Sequence, residues 1–189
     1  SKLTQSVHVG SIGDPLFGGV VTPIYPSAAY DYETEVRYPR YYNTPNQKAV
    51  VEKLAALENG ETGLVFSSGM AAIMTSIFAM VKSGDHILFQ NDLYGGTHHA
   101  ALHELERYGI EHSMVDVSDL KTFEKAIRKN TKVIYIETPS NPLLKITDLA
   151  GVSKIARKHG IVTIIDNTFA SPVNQNPIDF GIDYDNLKN

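Results

Sequence analysis

Residues 133–166 read VIYIETPSNPLLKITDLAGVSKIARKHGIVTIID, and this stretch decides the fold. Val133-Ile134-Tyr135-Ile136 is a short apolar run that reads as a buried strand. The Pro-rich turn Glu137-Thr138-Pro139-Ser140-Asn141-Pro142 follows, and then a helix expected from Thr147 to about His159. A second apolar run, Ile161-Val162-Thr163-Ile164-Ile165, ends at Asp166. Strand, helix, strand in this order implies a crossover between parallel strands.

The alternation extends upstream. A strand is expected at His86–Phe89, followed by a loop with Tyr94-Gly95-Gly96 and a helix to about Tyr108. A strand at Glu111–Val115 precedes a helix from Ser118, with Leu120, Phe123, Ala126 and Ile127 on one face. Further back, Ser67-Ser68-Gly69 separates an expected strand, Gly63-Leu64-Val65-Phe66, from an apolar helix, Met70 to Val81. Thr44 is placed to cap a helix with Pro45 at its first position and Gln47 completing a capping box. Val50, Val51, Leu54 and Leu57 carry that helix to Asn59-Gly60. The whole reads as an α/β fold with a mainly parallel, doubly wound sheet over residues 46–184. Residues 1–45, crowded with Pro, Gly and Tyr, read as an irregular arm that wraps another surface, such as a partner subunit.

Composition narrows the classes. The 189 residues carry a formal net charge of -4 and no cysteine. Disulfide frameworks, cysteine-ligated zinc and thiol nucleophiles are excluded. No clustered basic face points to nucleic acid, and the apolar runs are too short for a membrane span. Ser1-Lys2-Leu3-Thr4-Gln5 leads into no signal-like apolar region, so a cytoplasmic location is expected. His99 and His103 stand one helical turn apart without the acidic residue of a zinc-protease motif. They read as helix surface, and no metal is expected.

Ligands of open parallel sheets bind beyond the carboxyl ends of the strands. Ser67-Ser68-Gly69-Met70, between strand and helix, is either a plain turn or an anion site at a helix N-terminus. Asp166, after a very apolar strand, needs a partner. That partner is a helix N-terminus, a salt bridge or a protonated ring nitrogen. Tyr94 is a half-buried loop tyrosine or a stacking platform for a flat ligand. Asn141 is a turn residue or a donor to a ligand oxygen. Tyr38-Pro39-Arg40 is a packed tyrosine beside a solvated arginine, or a phosphate grip.

Taken in series these blocks carry a resemblance. Gly19-Val20-Val21-Thr22-Pro23-Ile24-Tyr25, Tyr38-Pro39-Arg40, Ser68-Gly69-Met70-Ala71-Ala72 and Asp92-Leu93-Tyr94-Gly95-Gly96-Thr97 are followed by Glu137-Thr138-Pro139-Ser140-Asn141-Pro142 and Asp166-Asn167-Thr168-Phe169-Ala170-Ser171-Pro172. Across nearly the whole chain they are similar to the Cys/Met-metabolism, or transsulfuration, family of pyridoxal-phosphate enzymes. The resemblance implies a fold-type-I domain with pyridoxal 5′-phosphate as cofactor and a small amino-acid substrate. It implies C–S bond formation or cleavage on cystathionine, homocysteine or cysteine-type amino acids. It also implies a homo-oligomer, a dimer of dimers. Cofactor contacts would come from Ser68, Gly69 and Met70 at the phosphate, Tyr94 on the ring and Asn141 at the ring oxygen. Asp166 would pair with the ring nitrogen, with Thr168 and Glu137 in support. Tyr38 and Arg40 would reach a neighbouring subunit's phosphate. Tyr94 would also act in leaving-group chemistry.

One departure stands out. In the family the segment after the aspartate runs through Gly-x-Asp into a strand and then a Ser-x-Thr-Lys motif, whose lysine forms the Schiff base. Here Gly181-Ile182-Asp183-Tyr184 keeps that pattern and Asp185-Asn186-Leu187-Lys188-Asn189 leaves it. Lys188 lacks the Ser-x-Thr context and reads as an exposed terminal lysine. Two expectations follow: this is part of a transsulfuration enzyme whose C-terminal part lies elsewhere, or an inactive truncated fragment that self-associates or binds the cofactor loosely.

Overall fold

In a computed structural model the apolar runs form one five-stranded sheet in the order β2-β1-β3-β4-β5, with every neighbouring pair parallel. The strands are β1 (His86–Gln90), β2 (Glu111–Val115), β3 (Thr131–Glu137), β4 (Val162–Asp166) and β5 (Tyr184–Asn186). The structure describes residues 1–31, 33 and 35–186; Lys188 lies outside them. They fall into two units, Ser1–Val65 and a second beginning at Phe66.

The sheet is covered on both faces, which explains why its strands are apolar runs rather than alternating patterns. Ile87 and Phe89 of β1, Val133 and Tyr135 of β3 and Ile164 of β4 pack with Ile73 and Ile77 of helix α3 (Gly69–Met80). Leu88, Ile134, Ile136 and Ile165 point the other way. They pack with Phe123 of α5 (Leu120–Lys125) and Val152 and Ala156 of α6 (Leu149–His159). Each such large side chain, fully buried, contributes about 1.5–3 kcal/mol. Helix α6 starts where Asp148 accepts the Gly151 N–H at 2.9 Å. It stops at Gly160, whose φ of 64° is left-handed and open to glycine at little cost.

The long helix expected after Tyr94 is not uniform. It begins as α4 (Gly95–His99), widens into a π turn over Ala100–Glu104 and tightens into a 3-10 turn over Leu105–Tyr108. The expected strand Gly63–Phe66 has no regular structure and joins no ladder among the described residues, and Leu64 is 59% exposed. An apolar run becomes a strand only where a neighbour takes up its N–H and C=O groups.

In the first unit, α2 (Pro45–Glu58) has the expected capping box between Thr44 and Gln47 and ends at Asn59 in the left-handed region. Its first turn anchors the irregular chain. Asn46 donates to the Pro23 carbonyl at 2.9 Å and accepts the Tyr25 N–H at 2.8 Å. Gln47 donates to the Pro39 carbonyl at 3.0 Å. A short helix, α1 (Lys2–His8), precedes it.

Candidate functional site

The chain steps from β1 outward to β2, then back past β1 to β3, so β1 and β3 flank the switch point of the sheet. At their carboxyl ends lies a half-open cleft of about 220 Å³. The loop after β1 contributes Tyr94. The end of β3 and its loop contribute Glu137, Pro139 and Asn141, and the end of β4 and its loop contribute Asp166, Thr168 and Phe169.

Each wall has a local cause. Asp166 closes β4 at 2% exposure. Its Oδ1 accepts the Thr168 hydroxyl at 2.7 Å and the Thr168 N–H at 3.2 Å. Glu137 closes β3 at 4% exposure. It accepts the Tyr94 N–H on Oε2 and the Asn141 N–H on Oε1, both at 2.8 Å. The Tyr94 ring is 38% exposed. It can lie where it does because the next residue but one is Gly96. A Cβ there would stand 2.6 Å from Tyr94 Cε1 and 3.0 Å from Met70 Sδ. That second approach also sets the first turn of α3 beside the Tyr94 loop. In that turn Ser68 accepts the Ala71 N–H at 3.1 Å, and the first amides of a helix have no partner within it.

Of the residues singled out in the sequence, Tyr94, Asn141, Asp166 and Thr168 therefore line one cleft, with Gly69 and Met70 adjoining through Gly96. Tyr38 and Arg40 belong to the first unit. Tyr38 packs edge-on against Tyr41 with centroids 5.4 Å apart, and its N–H donates to Asn43 at 2.9 Å. Arg40 is exposed in the 3-10 turn Pro39–Tyr41. The His99 and His103 rings lie 4.6 Å apart on the helix after Tyr94. Among the described residues no group of three His, Cys, Asp or Glu side chains is placed to hold a metal.

Three polar residues escaped the sequence reading. Gln90, the last residue of β1, donates to the Asp92 carbonyl at 2.6 Å and the Glu137 carbonyl at 2.8 Å. Asn167 is fully buried and donates to Gln175 at 2.8 Å. Tyr135 is fully buried in β3, two residues before Glu137. Burial first, then the charges of Asp166 and Glu137, push its phenol well above the ordinary value, so it stays neutral. Of the three, only Gln90, a polar residue ending an apolar run, carries a signal in the sequence.

An open parallel sheet that gathers a buried carboxylate, an accessible aromatic ring and a nearby helix N-terminus defines an α/β domain suited to a flat anionic ligand with a cationic edge. Residues 3–185 match the family described as Cys/Met metabolism PLP-dependent enzyme. Cystathionine gamma-lyase of Bacillus subtilis (strain 168) is 46% identical over 187 residues, covering 96% of this chain and 49% of that protein. A cystathionine beta-lyase of the same organism is 43% identical over 184 residues, covering 95% and 47%. Among solved structures, cystathionine gamma-lyase from Lactobacillus plantarum in complex with L-serine superposes with a TM-score of 0.91 at 41% identity, covering 97% of this chain and 49% of that one. An O-acetylhomoserine (thiol)-lyase from Campylobacter jejuni, described as putative and carrying a pyridoxyl-lysine phosphate, gives a TM-score of 0.91 at 34% identity, covering 98% and 49%. The chain belongs to the Cys/Met metabolism family of pyridoxal-phosphate-dependent enzymes. It spans about half the length of the curated relatives it matches.

The residues present fit that cofactor. Pyridoxal phosphate joins a phosphate, a flat ring and a protonatable ring nitrogen. The cleft offers the matching donor set, and Gly96 leaves open the space beside the Tyr94 ring that a methyl group would fill.

Proposed function

We propose that this chain supplies the cofactor site of an enzyme that makes or breaks C–S bonds in cystathionine, homocysteine or cysteine-type amino acids. The observation that carries the reading is Asp166, a carboxylate 2% exposed and oriented by Thr168 in the same cleft as Tyr94. Bound there, pyridoxal phosphate supplies an electron sink for negative charge at the substrate's α-carbon. Asp166 holds a proton on the ring nitrogen, and Thr168 fixes the carboxylate that does so. The Gly69 and Met70 amides, with Ser68, take the phosphate at the start of α3. The Tyr94 ring stacks on the cofactor ring, and its phenol moves a proton to or from the departing group. Asn141 donates to the ring oxygen.

Residues 1–45 make the inter-subunit contact, and Tyr38 and Arg40 complete the phosphate site of a second copy in a homotetramer. Arg40 supports this part, being an exposed guanidinium with no ion pair among the described residues. No helix among the described residues is long and apolar enough to cross a membrane, and we place the enzyme in the cytoplasm. Binding of pyridoxamine 5′-phosphate tests the reading, because this form carries its own amine and needs no lysine. Saturable binding that falls at least tenfold in Asp166→Ala supports it. Binding no tighter than that of inorganic phosphate overturns it.

A further inference from the structure

Two walls of the cleft hang on one side chain. The Glu137 carboxylate takes the Tyr94 N–H on one oxygen and the Asn141 N–H on the other, each at 2.8 Å. These amides belong to different loops, one after β1 and one after β3, and they flank the switch point of the sheet. Gln90 reinforces the junction from below, joining the Asp92 and Glu137 carbonyls. Directly across the ladder from Glu137 stands Asp166. Strand alternation puts both side chains on the face that carries Tyr135 and Ile164. Two carboxylates, 4% and 2% exposed, thus sit side by side where the dielectric is low. Two like charges so placed both attract a cation that enters the cleft. Glu137 accepts a backbone amide on each oxygen, and Asp166 lines the open cleft.

We propose that Glu137 is a positioning residue with two roles. It staples the Tyr94 loop to the Asn141 loop, and it stands as a second negative charge behind Asp166. The first role needs nothing but the apo chain; the second rests on the cofactor reading above. No other side chain does both. Glutamine keeps one acceptor but turns an NH₂ toward the second amide. Aspartate keeps the charge but is one methylene too short to span both loops. The titratable groups around Glu137 and Asp166 include Tyr135 on β3, Asp185 on β5 and Tyr94 on the β1 loop.

Hydrogen exchange on the apo chain, read by mass spectrometry at the amides of Tyr94 and Asn141, tests the staple. In Glu137→Gln at least one of these amides should exchange about tenfold faster or more, while α6 and β4 stay protected. His86→Asn, at the opposite end of the sheet, controls for general loosening and should leave both amides unchanged. Equal exchange at both amides in wild type and Glu137→Gln overturns the staple. If the Gln variant does not fold, Glu137→Asp gives the same test.

Equilibrium dialysis with pyridoxamine 5′-phosphate across pH tests the charge. In Glu137→Gln affinity should fall roughly tenfold to a hundredfold, and its alkaline limb should move to lower pH, because the protonated ring nitrogen has lost one of two negative neighbours. In Glu137→Asp the loops should loosen while the alkaline limb stays, a separation that mere destabilisation cannot produce. An unmoved limb in the Gln variant overturns the charge role. Failure of the wild type to bind this probe sinks the cofactor reading and the charge role with it, and the exchange experiment still decides the staple.

Discussion

Thr168 Oγ1 donates to Asp166 Oδ1 at 2.7 Å, and the Thr168 backbone N–H reaches the same oxygen at 3.2 Å. A short turn therefore locks the rotamer of a buried carboxylate with donors from two residues away. Hydrogen bonds to a charged group are worth about 1.5–3 kcal/mol each. Thr168→Val removes the shorter one and keeps the shape. Pyridoxamine 5′-phosphate binding should weaken about tenfold, and the folded chain should lose about 1.5–3 kcal/mol of stability while the N–H contact remains. Thr168→Ser should restore most of the affinity. Equal binding by the Val variant and wild type would remove Thr168 from the site.

Gly96 keeps a place open. A Cβ at this position would approach Tyr94 Cε1 to 2.6 Å and Met70 Sδ to 3.0 Å. Both are side-chain rather than backbone atoms, so the protein can yield by swinging the ring. Alanine also gains up to about 1 kcal/mol over glycine inside a helix. Gly96→Ala should therefore keep its thermal midpoint within a few degrees and yet lose about tenfold in cofactor affinity. A large drop in the midpoint would mean that the ring is held too firmly to move.

Phe123 tests the other face. It is fully buried on α5 and packs with the cluster around Leu88, Ile134 and Val152. Phe123→Ala should cost about 3–5 kcal/mol in urea or guanidinium unfolding. Because none of the cleft residues lies in that cluster, the folded variant should bind pyridoxamine 5′-phosphate as the wild type does.

How much of this was legible in the residues follows from where each signal resides. The runs at Ile87–Phe89, Val133–Ile136 and Ile164–Ile165 are apolar because both faces of a parallel strand are covered, so the sheet core could be read directly. The site loops could be read because an open sheet gathers them at one edge, and Tyr94, Asn141, Asp166 and Thr168 do meet there. β5 could not. Tyr184-Asp185-Asn186 is a polar edge strand whose existence depends on its pairing with Ile164, Ile165 and Asp166. Gly63–Phe66 is the converse case, an apolar run without a ladder. The tie from Glu137 to two separate loops was out of reach as well. It joins residues 43 and 4 positions away in the chain, and no spacing rule encodes such a contact.

His86 governs the acid limb of stability. Its ring is fully buried at the start of β1, with Nδ1 2.8 Å from Thr131 Oγ1 and Nε2 3.0 Å from Ser113 Oγ, so it joins the two flanking strands. Arg128 donates to both hydroxyls, through its backbone N–H to Thr131 and its guanidinium to Ser113, each at 2.8 Å. Burial first and the Arg128 charge second hold His86 at about 4, against an ordinary 6.5. Between these values the unfolded chain binds the proton and the folded chain does not, so stability falls as pH drops from about 6.5 toward 4 and is complete above 6.5. Solvent near the rim of the sheet screens part of the charge, and the loss should be roughly 1–2 kcal/mol. Burial lowers His112 as well, so some slope should survive without His86. Urea midpoints for wild type and His86→Asn at pH 7.5, 6 and 5 measure the difference. The variant should start less stable and lose less on acidification. Parallel curves would show that His86 is already protonated in the folded state.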